Sequence, residues 1–145
     1  MSGDRANAGV VGASAGAIQA LSCILPALPA DYPIPVLVEA GRVVSLSADE
    51  PVHYSRPSID LLFESPADAF GAGLVGVILT GANEDGAAGL RAVAAVGGVT
   101  VVENPATAFA PTMPTAALEL CAQARPMSLD AIAAYLVSLG TSRAA

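Results

Sequence analysis

The chain has 145 residues, 54% of them hydrophobic, which is enough for one domain with a single buried core. Only 4% of the residues are aromatic, so the core must consist of Ala, Val, Leu and Ile, a composition that suits thin helices on a buried parallel sheet. The formal net charge of −7 would repel phosphate backbones and anionic lipid surfaces, which argues against a nucleic-acid partner.

In chain order, the first half contains three predicted strands and two predicted helices. The strands are apolar runs at Ala8–Gly12, Pro35–Glu39 and Arg42–Ser47. Apolar residues recur at helical spacing after the first strand, at Ile18, Leu21, Leu25 and Leu28. Ser58 is expected to cap the second helix, which Pro66 should end or kink early.

The second half alternates strands and helices in the same way. The strongest strand of the sequence is Leu74–Thr80, and a second one follows at Gly98–Glu103. Helices are predicted through Leu90 and Val93, from Met113 to Cys121, and after a capping Ser128. This alternation predicts an α/β fold with a doubly wound, mostly parallel sheet, helices on both faces and one domain over residues 1–145.

The two cysteines lie in apolar stretches that are expected to be helical. Cys23 and Cys121 lack the spacing of metal ligands, and two buried thiols are the ordinary interpretation. We therefore expect a reducing, cytoplasmic location. The apolar stretch from Ala8 to Ala30 is interrupted by glycines, a glutamine and prolines, so no membrane insertion is expected.

The turn after the first strand is a candidate nucleophile site. Its sequence from Gly12 to Gly16 has the spacing G-x-S-x-G, which would expose Ser14 at the N-terminus of a helix. The same small residues could instead form a tight turn or a phosphate-binding loop. The glycines do not follow a dinucleotide-binding pattern and no P-loop lysine follows them, so a nucleotide cofactor is disfavoured.

The turn after the Leu74–Thr80 strand is a candidate site for a catalytic acid. Asp85 stands there at a helix entrance and could orient an imidazole, as the third member of a Ser-His-Asp triad does. Its alternative role is to cap the N-terminus of that helix. The only histidine, His53, lies in a polar loop between Ser14 and Asp85, where it could act as the base or be a solvated surface residue.

Several segments, taken together and in order, resemble the CheB methylesterase domain, which removes methyl groups from receptor glutamate esters. They are Val10–Leu21, Arg56–Ser65, Val77–Gly81, Asp85–Leu90 and Met113–Ala117. The resemblance implies that Ser14 matches the nucleophile and Asp85 the acid of a Ser-His-Asp triad. In the family the histidine closes the second strand, whereas here Glu39 is followed by Ala40-Gly41-Arg42, and several tens of residues are missing after it.

Two further departures from the family affect the chemistry. The family's second glycine after the nucleophile is Ala17 here, and the Met-Gly after its Thr-Gly is Ala82-Asn83. Since some oxyanion donors of the family come from these loops, transition-state stabilisation should be weakened as well as proton transfer. The receiver domain that regulates typical members is not found in these 145 residues.

The resemblance therefore predicts an impaired protein-glutamate methylesterase of chemotaxis signalling, which needs no metal or organic cofactor. The expected partner is the cytoplasmic domain of a methylated chemoreceptor, or a similar protein substrate. The alternative is a non-catalytic homologue that keeps the fold to bind methylated receptors or a methyltransferase. A small nucleotide-binding domain is a third hypothesis, which rests on the Gly-rich turns alone.

Overall fold

The structure is a computed structural model that describes residues 5–40 and 58–144. Within these ranges the chain forms five strands and five helices, and short 3₁₀ turns follow α1 and α2. In chain order they are β1 Ala8–Ala13, α1 Ala17–Ile24, β2 Val36–Ala40, α2 Ser58–Phe70, β3 Leu74–Ile78, α3 Ala87–Ala95, β4 Val99–Glu103, α4 Thr112–Leu120, β5 Arg125–Met127 and α5 Leu129–Ala144.

The strands form one sheet in the order β2-β1-β3-β4-β5, and every neighbouring pair is parallel. The chain moves outward from β1 to β2 and then crosses back to β3 on the other side of β1. The winding direction therefore reverses between β1 and β3. Such a reversal opens a crevice at the carboxyl ends of the two strands, where ligands bind in folds of this type.

Apolar side chains cover both faces of the sheet, which confirms the predicted doubly wound fold. One cluster joins the sheet to α1 and α5 and contains Ile24 and Ile132, both fully buried. The other joins it to α2, α3 and α4 and contains Phe63 and Leu90. None of the described helices is long and apolar enough to cross a membrane.

The central strand of the sheet is β3, which is also the strongest predicted strand of the sequence. All five of its residues are buried, because a parallel strand with helices on both faces has no solvent side. The strand ends at Ile78, two residues before the predicted end. Leu79 and Thr80 still contact the neighbouring elements through hydrogen bonds from their N–H groups to Gly12 and Glu103.

Three features of the local structure differ from the sequence-based expectations. Pro66 lies inside α2 without ending it, because the side chains of Phe63, Pro66 and Ala67 are buried on one face and hold the helix against the core. Cys23 is exposed, since it lies on the solvent side of α1, whereas Cys121 is buried as expected. Strand β5 was not predicted. The predicted strand Arg42–Ser47 lies outside the described residues.

Candidate active site

Ser14 follows the last residue of β1 and stands at a sharp strand-to-helix turn. Its N–H donates to the carbonyl oxygen of Thr80 (2.9 Å), and its own carbonyl accepts the N–H of Ala17, the first residue of α1 (2.8 Å). Gly16 has a φ of 85°, a left-handed conformation that an L side chain rarely adopts. The turn therefore leaves Ser14 half-buried at the carboxyl edge of the sheet.

The segment after β3 provides a backbone donor to this serine. The N–H of Ala82 donates to Ser14 Oγ over 3.2 Å. Gly81 makes the approach possible, because a Cβ at this position would lie 2.6 Å from Ser14 Oγ. The two turns therefore contact each other directly at the carboxyl ends of β1 and β3.

Thr80 joins three loops at this edge, and its side chain is only 1% exposed. Its hydroxyl accepts the N–H of Ala110 at 2.7 Å and can donate to the carbonyl oxygen of Ala15 at 2.9 Å. Its backbone N–H donates to Oε1 of Glu103 at 2.9 Å. The sequence analysis did not single out Thr80 or Glu103. Each stands at the carboxyl end of a buried strand, where a polar side chain indicates a position close to the site.

The carboxylate of Asp85 caps a helix, but not the helix that follows it. Oδ2 accepts the N–H of Ile59 and Oδ1 that of Asp60, each at 2.9 Å, so the N-terminus capped is that of α2. At the N-terminus of α3 stands Gly86, with no side-chain cap of its own. The expectation that Asp85 caps the helix after it was therefore wrong, because the turn directs its side chain towards α2.

Asp60 in turn caps the N-terminus of α3. Its Oδ1 accepts the N–H groups of Gly86 (3.0 Å) and Gly89 (2.7 Å), so α2 caps α3, while the turn before α3 caps α2. Burial raises the pKa of Asp60; the hydrogen bond from Gly89 lowers it, the nearby Asp85 carboxylate raises it, and the bond from Gly86 lowers it again. Glu64 adds a smaller rise. The pKa of Asp60 remains above its ordinary value.

Ser14 and Asp85 thus lie at the same edge of the sheet, since each follows the carboxyl end of one of two neighbouring strands. Their side chains have different partners: Ser14 Oγ accepts the amide of Ala82, and Asp85 accepts two amides of α2. His53, the third predicted site residue, lies outside the described residues.

In the part of the chain that the structure describes, no group of three or more His, Cys, Asp or Glu side chains could hold a metal ion. Two open grooves of about 360 and 380 Å³ run beside α4, away from Ser14. Glu84 and Glu119 line both grooves. Their side chains give both grooves an acidic lining.

Comparison with known proteins points to one family. The model of the CheB methylesterase family matches residues 37–136, a range that begins after Ser14. A protein of Leptospira interrogans, provisionally named a protein-glutamate methylesterase/protein-glutamine glutaminase, is 33% identical over an alignment that covers 90% of this chain and 93% of the relative. That alignment has 179 positions against 145 residues here, so at least 34 positions of the relative have no counterpart. The predicted internal shortening agrees with this difference.

A second relative and a solved structure agree with that assignment. A protein-glutamate methylesterase/protein-glutamine glutaminase of Bordetella parapertussis is 41% identical over 99 residues, which are 68% of this chain and 28% of the relative. The crystal structure of the Thermotoga maritima CheB methylesterase catalytic domain superposes with a TM-score of 0.73 at 19% identity, covering 92% of this chain and 98% of that one. At that identity the superposition establishes a shared fold.

Proposed function

The chain belongs to the CheB methylesterase family, and from this premise we propose that it hydrolyses methyl esters of glutamate side chains in a protein substrate, with Ser14 as nucleophile. The observation that carries the proposal is the position of Ser14 Oγ, at the crevice between β1 and β3 and 3.2 Å from the N–H of Ala82. The substrate that fits the family is the cytoplasmic domain of a methylated chemoreceptor.

In the proposed reaction, Ser14 Oγ attacks the ester carbonyl carbon while a base takes the hydroxyl proton. The carbonyl oxygen becomes an oxyanion, for which the N–H of Ala82 is a candidate donor because it lies 3.2 Å from Oγ and therefore close to the carbon that Oγ attacks. Collapse of the tetrahedral intermediate expels methoxide, which receives the proton and leaves as methanol. Water then attacks the acyl carbon while the base takes its proton, and collapse of the second tetrahedral intermediate expels Ser14 Oγ, which receives that proton, and releases the free glutamate.

The proposed base is His53, with Asp85 as the residue that orients it. The carboxylate of Asp85 binds the N–H of Ile59, which follows His53 by six residues in the chain. Six residues span at most about 20 Å, so the imidazole is within chain reach of the acid. Each carboxylate oxygen has a second lone pair, so Asp85 can accept an imidazole N–H in addition to its backbone bonds.

We propose that the activity is impaired, because the family's histidine position after the second strand is not matched by a histidine here. A serine hydrolase without its base keeps only a small residual activity, several orders of magnitude below the normal rate, and with His53 as a displaced base we expect a rate between these two. The alternative function is a non-catalytic homologue that binds the methylated receptor or a methyltransferase. It is favoured by one observation: both oxygens of Asp85 already have partners in α2, a role that needs no histidine.

The test measures methanol released from a methylated chemoreceptor fragment by the unaltered protein and its variants. We expect slow release that Ser14→Ala abolishes, whereas Ser22→Ala, an exposed serine of α1, leaves it unchanged. His53→Ala should lower the rate further, and a serine-directed phosphonate should label Ser14 more slowly in that variant. The names of the relatives add a second assay, the release of ammonia from receptor glutamine.

Three outcomes would change the proposal. Equal methanol release by the unaltered protein and Ser14→Ala would exclude Ser14 as the nucleophile. No release together with binding of the methylated receptor would favour the non-catalytic homologue. Release at rates typical of the family would refute the impairment, and grafting the family's histidine segment after Glu39 would then give no further gain.

A further inference from the structure

Glu103 is a buried acid that the proposed reaction does not use. It ends β4, and its side chain is 2% exposed. Burial raises the pKa of Glu103, and the hydrogen bond from Thr80 opposes that rise. Burial of a carboxyl group costs free energy of folding unless the group is hydrogen-bonded, so the partner of Glu103 is informative.

The hydrogen bond to Glu103 replaces a missing step of the sheet ladder. The last paired residues of β3 and β4 are Ile78 and Val102. Successive N–H groups along a strand point to opposite neighbours, and that of Leu79 donates to Gly12 in β1. The N–H of Thr80 therefore points towards β4, where the Glu103 carboxyl accepts it in place of a backbone carbonyl.

This bond holds the segment that contacts the nucleophile. The carbonyl oxygen of Thr80 accepts the N–H of Ser14 at 2.9 Å. Two residues later, the N–H of Ala82 donates to Ser14 Oγ at 3.2 Å. Both contacts with Ser14 thus come from one short segment, and Glu103 fixes the N–H at its start.

We propose that Glu103 is a positioning residue for the Ser14 site: by accepting the Thr80 N–H, it holds the turn in the place from which Ala82 donates to Ser14 Oγ. The functional part of this inference rests on the proposed role of Ser14 as nucleophile. Misplacement of a catalytic group by about 1 Å can lower a rate about a hundredfold, so a residue that fixes the turn would affect the reaction without touching the substrate.

The first test needs no activity and compares three variants by amide NMR. Glu103→Gln keeps an acceptor oxygen, Glu103→Leu has none, and Val102→Ala removes buried volume from the same strand without touching Thr80. We expect the Thr80 amide to exchange with deuterium at least about tenfold faster in Glu103→Leu, and the Ala82 cross-peak to move. Both should stay as in the unaltered protein in Glu103→Gln and Val102→Ala. An unchanged Thr80 exchange rate in Glu103→Leu would overturn the proposal.

The second test measures the rate at which a serine-directed phosphonate labels Ser14, together with kcat and KM for methanol release. Glu103→Leu should lower the labelling rate and kcat about tenfold or more with KM unchanged, and Glu103→Gln should restore both. Equal loss in Glu103→Gln, or in Val102→Ala, would overturn the positioning role. If the unaltered protein neither releases methanol nor is labelled, the proposed function fails, while the amide measurement still decides whether Glu103 positions the turn.

Discussion

Replacement of Asp85 by alanine should destabilise the fold whether or not the protein is an enzyme. The change removes two hydrogen bonds of 2.9 Å from the amides of Ile59 and Asp60. Loss of a helix N-cap costs about 1 kcal/mol, and a hydrogen bond to a charged acceptor contributes about 1.5 kcal/mol or more. Because Asp85 is only half-buried and water replaces part of the bonding, we expect a loss of about 2 kcal/mol in the free energy of unfolding.

Thermal denaturation at neutral pH, followed by circular dichroism, measures this loss. For a chain of this length, about 2 kcal/mol corresponds to a decrease in Tm of about 6 °C. Asp85→Asn keeps one acceptor oxygen and should lose about half as much. Asp68→Ala, which removes an exposed carboxylate from α2, serves as the control and should change Tm by less than about 2 °C. A Tm for Asp85→Ala equal to that of the control would refute the assignment of Asp85 as the cap of α2.

Three further predictions concern single residues. Gly16→Ala should lower stability by more than about 1 kcal/mol in urea unfolding, because φ is 85° and the added Cβ would lie 2.9 Å from the Phe109 ring; an unchanged midpoint would contradict this. Ser128→Ala removes the acceptor for the N–H of Ala131 and should lower the free energy of unfolding by about 1 kcal/mol in the same measurement. An unchanged free energy of unfolding would contradict the role of Ser128 as a cap. Burial raises the pKa of Glu103 above its ordinary value, so the fold loses stability as the pH rises through that raised pKa and the carboxyl ionises. The stability of Glu103→Gln relative to the unaltered protein should therefore be greater at about pH 8 than at about pH 4, and a pH-independent difference would refute this.

The strands of the sheet could be predicted from the sequence because burial on both faces leaves a simple signal. Parallel strands in such folds are continuous apolar runs; β1 and β3 are runs of this kind, and β4 is apolar except for Thr100 and Glu103. Strand β5 was missed because it is short and contains Pro126, which lacks a backbone donor and is tolerated only at a sheet edge. Pro66 has a low helix propensity and was therefore expected to end α2. The packing of α2 against the core outweighs that local cost in free energy.

Only the part of the site that lies in one short stretch of sequence could be predicted. The small residues around Ser14 form one short motif that predicts a tight strand-to-helix turn. The partners of Asp85 are in α2, 25 and 26 residues earlier, and no local pattern links them. Glu103 and Thr80 are likewise 23 residues apart and meet only because β3 and β4 are neighbours in the sheet.

The exchange of caps between α2 and α3 couples the opening of two helices that are distant in the chain. If the first turn of α2 unravels, Asp60 moves and the amides of Gly86 and Gly89 lose their acceptor. If the first turn of α3 unravels, Asp85 moves and the start of α2 loses its cap in turn. The two N-termini therefore behave as one cooperative unit of local unfolding, with one opening free energy rather than two. A substrate that displaced Asp85 from its backbone partners would break only its two bonds to α2, and would thereby lower the free energy needed to open this unit.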